Sequence, residues 1–210
     1  MKLRYDAGYN SVNSSSIGGI ILVVNVLMIG SGEYTTGYVH GSATDSDKGA
    51  GVVALSMFDL RNQKLVDDIL IAGTNGTKFP GIRAHFQRRI AGIYRDLNCQ
   101  FASFPSDATQ RDPLAYRAAL DRLSPGDVVT VFTPDDTHFS IALEAVEHGC
   151  HVLIAKPLVK TLQEHFDLAA AATRKGARYS KGHRSNSRRL TGVPMFRFRS
   201  RWLRQQGAFV

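Results

Sequence analysis

Three glycines that follow an apolar run are the first residues of this chain whose types and spacing could do chemistry. Gly30, Gly32 and Gly37 come directly after the apolar residues 23–29. Glycine amides at the start of a helix can approach and bind a pyrophosphate, because no side chain stands in the way. The spacing departs from G-x-G-x-x-G, since Thr35 occupies the third glycine position. The segment therefore predicts a dinucleotide phosphate site, and an ordinary turn between a strand and a helix is the alternative.

An acidic residue, Asp59, ends the next apolar run. Residues 52–59 predict a second strand, with residues 68–72 close enough to pair with it as a hairpin. A carboxylate at the end of that strand can accept hydrogen bonds from the adenosine ribose and repel a 2′-phosphate. Asp59 therefore predicts NAD in preference to NADP, although Arg61 could offset the repulsion. A solvated acid at a strand end is the alternative.

Alternating apolar and amphipathic segments predict the elements that must position these residues. Strands are expected at residues 23–29, 52–59, 127–132 and 151–154, and helices at residues 138–148 and 161–175, with a short helix after Gly37 up to Ala43. Strands that alternate with helices of this length form parallel sheets covered on both faces. The sequence therefore predicts an α/β fold with a doubly wound parallel sheet, the Rossmann fold.

A motif in the second half of the chain carries a resemblance to a known family. From Asp127 to Leu158 the chain reads as strand, Thr-Pro-Asp-Asp-Thr-His, helix, glycine, strand and then Ala-Lys-Pro. This order resembles the glucose–fructose oxidoreductase and inositol dehydrogenase family (Gfo/Idh/MocA), whose pattern ends in Glu-Lys-Pro. With the glycine turn, the resemblance covers roughly residues 22–176. It implies an oxidoreductase that uses a nicotinamide dinucleotide, NAD or NADP, to transfer hydride to or from a secondary alcohol of a sugar or polyol.

The resemblance also implies a cofactor-binding loop after the strand predicted at residues 127–132. Thr133, Pro134 and Asp135 would line the nicotinamide side of the cofactor, and His138 closes the same motif. For His138 the alternative is a residue that begins a helix and hydrogen-bonds the preceding loop. No set of residues has the spacing of metal ligands, so no metal site is predicted.

Lys156 is the catalytic candidate that the resemblance implies. Its ammonium would lie near the reacting carbon, where it can stabilise or accept charge as hydride leaves. Pro157 would shape the turn that presents it. Ala155 stands where the family has Glu, so the carboxylate that would hold the lysine is absent. A surface lysine at the end of a strand is the alternative.

Positive charge is concentrated in the carboxyl-terminal part of the chain. The net charge is +8, yet every acidic residue lies at or before Asp167, so the body is mildly acidic and the tail strongly basic. The sequence predicts a flexible leader over residues 1–20, a dinucleotide-binding domain over residues 21–176 and a disordered basic tail over residues 177–210. The resemblance implies a further α+β substrate domain, which such a tail cannot build. A truncated, incomplete enzyme is therefore expected, from an alternative exon, a truncation or a shifted reading frame.

The composition leaves two other functions open. Arginines interleaved with Phe and Trp in the tail can contact phosphates and stack on bases, although the acidic body disfavours a nucleic-acid partner. A regulatory or scaffold protein that senses the cofactor is the other alternative. The apolar residues 17–29 are too few to span a bilayer, so a cytoplasmic protein with no membrane partner is expected. Cys99 and Cys150 are expected to be buried thiols, and apolar surface left by a missing domain would favour self-association.

Overall fold

Short apolar runs form the strands of a six-stranded parallel sheet in a computed structural model, which describes residues 23–94 and 97–181. In chain order the elements are β1 (Val24–Ile29), α1 (Glu33–Thr36), β2 (Tyr38–Val39), β3 (Ser42–Ala43), α2 (Val52–Asn62), β4 (Val66–Ala72), α3 (Phe79–Phe86), β5 (Ala102–Phe104), α4 (Ala115–Leu120), β6 (Val128–Val131), α5 (His138–Glu147), β7 (His151–Ile154), α6 (Leu162–Lys175) and β8 (Tyr179–Lys181). The leader at residues 1–20 and the tail from residue 182 onward lie outside the described residues.

The sheet order confirms the predicted doubly wound fold. The strands lie in the order β5-β4-β1-β6-β7-β8, and every neighbouring pair is parallel. The chain therefore places β4 and β5 on one side of β1 and then β6, β7 and β8 on the other side. The order reverses between β1 and β6, and ligands of open α/β sheets bind beyond the carboxyl ends of the strands at such a point.

The core lies on both faces of the sheet. Alternate residues of β1 point to opposite sides, so Val26 and Met28 pack into one apolar cluster while Leu27 and Ile29 pack into the other. The first cluster includes residues of α2 and α3, and the second includes residues of α4, α5 and α6. Burial on both faces explains why the strands are continuous apolar runs instead of alternating ones.

The prediction of a strand at residues 52–59 is wrong, because this segment lies entirely within the helix α2. Val53, Ala54, Met57 and Phe58 are buried, which is the spacing of one helical face. A short apolar run fits a buried strand and a buried helix equally well, so periodicity cannot separate them. The second long strand is β4, which lies parallel to β1, and the predicted hairpin with residues 68–72 does not form.

The segment after the glycine turn also differs from the prediction. The short helix, α1, precedes Gly37 and ends at it, and the antiparallel hairpin β2–β3 takes the place of the helix expected up to Ala43. Gly37 has a φ of 67°, the left-handed conformation that commonly ends a helix. At the other end of the chain, β8 lies within residues 177–210 and adds a sixth strand to the sheet beside β7.

The predicted helix at residues 161–175 and the predicted burial of the two cysteines are confirmed. Thr161 and Glu164 form a reciprocal capping box at the start of α6. Cys99 and Cys150 are free, buried thiols, and burial raises the pKa of Cys150 to about 11. Within the part of the chain that the structure describes, no helix combines the length and apolar character needed to cross a bilayer.

Candidate functional site

The carboxyl ends of four neighbouring strands bring the predicted site segments to one edge of the sheet. Ile29, at the end of β1, pairs with Ala72 of β4 on one side and with Val131 of β6 on the other. Val131 in turn pairs with Ile154, at the end of β7. The glycine turn, the Thr-Pro loop and the Lys156–Pro157 segment therefore begin side by side, although they are far apart in the chain.

Gly30 and Gly32 have different roles in the glycine turn. Gly30 has a φ of 106°, and a Cβ on it would lie 2.1 Å from the carbonyl oxygen of Phe132. A Cβ on Gly32 would meet nothing within 4 Å, and its backbone conformation is one that any residue can adopt. Gly30 is thus required by the packing of β1 against β6, whereas Gly32 faces open space.

That open space leaves room for an anion beside the backbone. The first amides of a helix have no carbonyl partner within it, so the amides at the start of α1 can donate to an anion. Gly32 is the N-cap of α1 and has no side chain to obstruct such an anion. A phosphate group could therefore approach the backbone closely at Gly32, as the sequence predicts.

Gly37 has a structural role in the packing of the glycine turn. It is buried, and a Cβ on it would lie 2.7 Å from the carbonyl oxygens of Lys48 and Gly49. A Cβ on Gly51 would likewise lie 2.5 Å from the carbonyl carbon of Thr36. These close backbone approaches fix the end of α1 against the loop that leads into α2, so Gly37 can act on a ligand only by shaping the turn.

Asp59 does not join the other predicted residues. It lies in the last turns of α2, and its carboxylate accepts a hydrogen bond from the Gln63 side-chain amide at 2.7 Å. After α2 the chain turns at once into β4, so this end of the helix lies at the amino edge of the sheet. The prediction that Asp59 closes a strand is wrong, and the structure places it at the edge opposite the glycine turn.

His138 joins the two loops that the resemblance places around the nicotinamide and the reacting carbon. Its side chain is fully buried. Nε2 lies 2.9 Å from the carbonyl oxygen of Thr133, and Nδ1 lies 2.8 Å from the carbonyl oxygen of Pro157. Pro134 and Asp135 are exposed at the mouth of the same loop. Because it is buried, His138 can affect a ligand only through the position of these loops.

We expect His138→Ala to lower the free energy of unfolding by about 3 kcal/mol, because a carbonyl oxygen loses its hydrogen-bond donor and a cavity opens where the buried ring stood. Urea denaturation followed by circular dichroism would measure the change. His148→Ala is the matched control, since His148 is exposed at the end of α5 and should cost about 0.5 kcal/mol or less. Equal losses in the two variants would contradict the bridging role of His138.

Lys156 is exposed directly after β7. The neighbouring residue Ala155 donates its backbone amide to Val131 at 2.9 Å, which holds this segment beside β6. None of the ion pairs among the described residues involves Lys156. The ammonium is thus presented at the carboxyl edge without the carboxylate that Ala155 replaces.

Tyr34 and Phe132 add an aromatic surface at the same edge. Their rings stack with centroids 6.3 Å apart and planes 25° apart, and Tyr34 is 53% exposed. An exposed ring offers a flat face to a planar ligand. Only the presence of an aromatic residue inside a glycine turn could have drawn attention to this pair in the sequence.

The glycine turn carries charges of both signs. The Lys48 ammonium lies 5.1 Å from the centre of the Tyr34 ring, and its hydrogen bond to Asp47 raises the pKa of Lys48. The pKa of Glu33 is lowered because the hydroxyls of Thr44 and Ser46 donate to its carboxylate, at 2.6 Å and 2.7 Å. Glu33 therefore binds the chain after the hairpin, while the charge of Lys48 next to the turn is paired with that of Asp47.

Comparison with known proteins identifies the family and the fold of the chain. Residues 24–183 match the sequence profile of the Gfo/Idh/MocA group, described as an oxidoreductase family with an NAD-binding Rossmann fold. A curated relative, the uncharacterized oxidoreductase YdgJ of Escherichia coli, is 40% identical over 57 residues. That alignment covers 27% of this chain and 16% of the relative. The chain thus matches only a small part of the relative's length.

The solved structures that are similar to this chain include a 3-ketoreductase and a dehydrogenase. The 3-ketoreductase KijD10 from Actinomadura kijaniata, solved with NADP and TDP-benzene, is 17% identical, with a TM-score of 0.48 over 77% of this chain and 37% of that one. The WlbA dehydrogenase from Chromobacterium violaceum, solved with NADH and UDP-GlcNAcA, is 14% identical, with a TM-score of 0.49 over 80% and 37%. The chain spans little more than a third of either protein.

Proposed function

We propose that this chain, which belongs to the Gfo/Idh/MocA oxidoreductase family, binds a nicotinamide dinucleotide across the crevice between β1 and β6 and presents it for hydride transfer. The reacting partner would be a secondary alcohol of a sugar or polyol. The observation that carries the proposal is the open space at Gly32, at the point where the sheet order reverses.

The glycine turn and the Thr-Pro loop would hold the two ends of the dinucleotide. The amides at the start of α1 suit the pyrophosphate, and the exposed residues Pro134 and Asp135 lie across the reversal point from them. His138 keeps the Thr133 and Pro157 carbonyls at a fixed separation. That link would hold the nicotinamide-side loop in register with Lys156.

Lys156 would act on the alcohol. The nicotinamide supplies the acceptor or donor of hydride when it is bound. The Lys156 ammonium can donate to the alcohol oxygen or, once deprotonated, accept its proton, and a positive group there stabilises charge that develops on oxygen. Because no carboxylate holds it, Lys156 must be positioned by the segment that His138 and Pro157 anchor.

The charge of Lys156 gives a test that needs no substrate. We expect the Lys156→Met substitution to shift the ratio of the two dissociation constants about threefold in favour of the oxidised dinucleotide. The oxidised nicotinamide ring is positive, so an ammonium nearby repels it, and the substitution removes that repulsion. Dissociation constants of both forms, measured by calorimetry, give the ratio. Lys175→Met is the control, because Lys175 lies at the far end of α6 and pairs with Glu147.

The outcomes separate the parts of the proposal. An unchanged ratio in Lys156→Met would place this lysine away from the nicotinamide and remove it from the proposed chemistry. The same shift in both variants would show a general effect of charge. If neither the oxidised nor the reduced dinucleotide bound, the proposed function as a whole would be contradicted.

A further inference from the structure

The loop that follows β4 decides which nicotinamide dinucleotide the site would prefer. β4 lies next to β1 on the side of the glycine turn, and the adenosine ribose of a bound dinucleotide lies beyond the end of that strand. An acidic residue there accepts hydrogen bonds from the ribose hydroxyls and selects NAD, whereas a cation accommodates the 2′-phosphate of NADP. The relevant residues are therefore those directly after Ala72.

This loop forms one wall with the glycine turn. A Cβ on Gly73 would lie 2.5 Å from the Ser31 hydroxyl oxygen, so the Ser31 side chain rests against the backbone of Gly73. Thr74 follows with an exposed side chain. The Asn75 carboxamide oxygen accepts hydrogen bonds from the amide and the hydroxyl of Thr77, at 2.9 Å and 2.7 Å. The loop is thus held in a defined turn with hydroxyl groups at its mouth.

The loop contains no acid, and the carboxylates close to it have partners. Residues 73–78 read Gly-Thr-Asn-Gly-Thr-Lys. The Asp112 amide donates to the Thr74 carbonyl oxygen at 2.8 Å, and the Asp112 carboxylate accepts from the Leu114 amide at 2.9 Å. Asp107 pairs with Arg83 at 2.7 Å. A carboxylate free to receive the ribose hydroxyls is therefore lacking in this loop.

A cation is present instead. Lys78 is exposed at the end of the turn, and none of the ion pairs formed among the described residues involves it. Its ammonium can therefore approach a phosphate without breaking any of those ion pairs. The two acids of β4, Asp67 and Asp68, lie at the opposite end of the strand.

We propose that the chain prefers NADP, with the hydroxyls of Ser31 and Thr74 and the ammonium of Lys78 receiving the 2′-phosphate. The proposal rests on the proposed function, because it concerns the same dinucleotide site. It replaces the preference for NAD that Asp59 predicts, since that carboxylate lies at the amino edge of the sheet. A 2′-phosphate would meet donors and positive charge at the end of β4, whereas a 2′-hydroxyl would find no carboxylate.

Titration of the purified chain with NADPH and NADH, followed by the fluorescence of the reduced nicotinamide, tests the preference. We expect NADPH to bind at least about tenfold more tightly than NADH, a difference that one charge-assisted hydrogen bond can supply. Lys78→Gln should weaken NADPH about tenfold and leave NADH unchanged. Thr74→Asp, at an exposed position, should remove the preference or reverse it in favour of NADH.

Lys64→Gln is the matched control, because Lys64 is an exposed lysine directly before β4, at the other edge of the sheet. It should leave both affinities unchanged. NADH binding as tightly as NADPH, or a Lys78→Gln effect no larger than that of the control, would overturn the inference. If neither dinucleotide bound, the proposed function itself would fail, which is a distinguishable result.

Discussion

Replacing Gly32 by valine is expected to abolish nicotinamide dinucleotide binding while the free energy of unfolding changes by about 1 kcal/mol or less. A side chain at Gly32 meets no protein atom within 4 Å, so the fold should accommodate it. The same side chain would occupy the space through which a pyrophosphate approaches the amides of α1. We expect the dissociation constant to rise at least about 100-fold, equivalent to roughly 2.7 kcal/mol.

Calorimetric titration and urea denaturation of the same preparation would measure the two quantities. Gly32→Ala supplies a graded comparison, because its single methyl group should weaken binding less than the valine side chain does. Unchanged affinity in Gly32→Val would show that the dinucleotide, if it binds, does so elsewhere on the chain.

Replacing Gly30 by alanine is expected to act on the fold instead. Gly30 has a φ of 106°, which L side chains rarely adopt, and its Cβ would lie 2.1 Å from the Phe132 carbonyl oxygen. The clash is with backbone, so no side-chain rotation can relieve it. Backbone strain and overpacking each cost about 1–3 kcal/mol, and we expect a loss of about 3 kcal/mol or more in the free energy of unfolding.

Urea denaturation of Gly30→Ala beside Gly32→Ala provides the comparison, because the two variants add the same methyl group two residues apart. We expect a large loss of stability in the first and little in the second. Equal stability of the two variants would mean that β1 and β6 do not approach as closely at Gly30 as the structure shows.

The parts of the site that the sequence predicted are those with strong local signals. The order of strand, Thr-Pro loop, helix, glycine and Ala-Lys-Pro identifies β6, α5 and β7, and the capping box at Thr161 identifies the start of α6. Parallel strands bring their carboxyl ends to one edge. The proximity of the glycine turn to the Lys156–Pro157 segment therefore followed from the fold class.

The first half of the chain was predicted less well, because the connection from β1 to β4 is unusually long. The hairpin β2–β3 and the loop up to Gly51 separate the short helix α1 from α2. This separation explains both the late glycine at Gly37 and the long distance from the turn to Asp59. Since residues 52–58 are apolar except for Ser56, their pattern fits a strand, and Asp59 then occupies the place of a ribose ligand.

Other features depend on contacts that no local pattern contains. The burial of His138 between two carbonyl oxygens requires β6 and β7 to be neighbours. The approach of Ser31 to Gly73 requires β1 to pair with β4 in a specific register. Both follow from tertiary packing, which sequence spacing does not determine.

Isothermal titration calorimetry of the purified chain with NADPH tests the central claim most directly. The account predicts saturable binding at one site per chain, lost in Gly32→Val while that variant unfolds at nearly the same urea concentration. Absence of binding by the unaltered chain to both NADPH and NADH, or equal binding by the Gly32→Val variant, would contradict it.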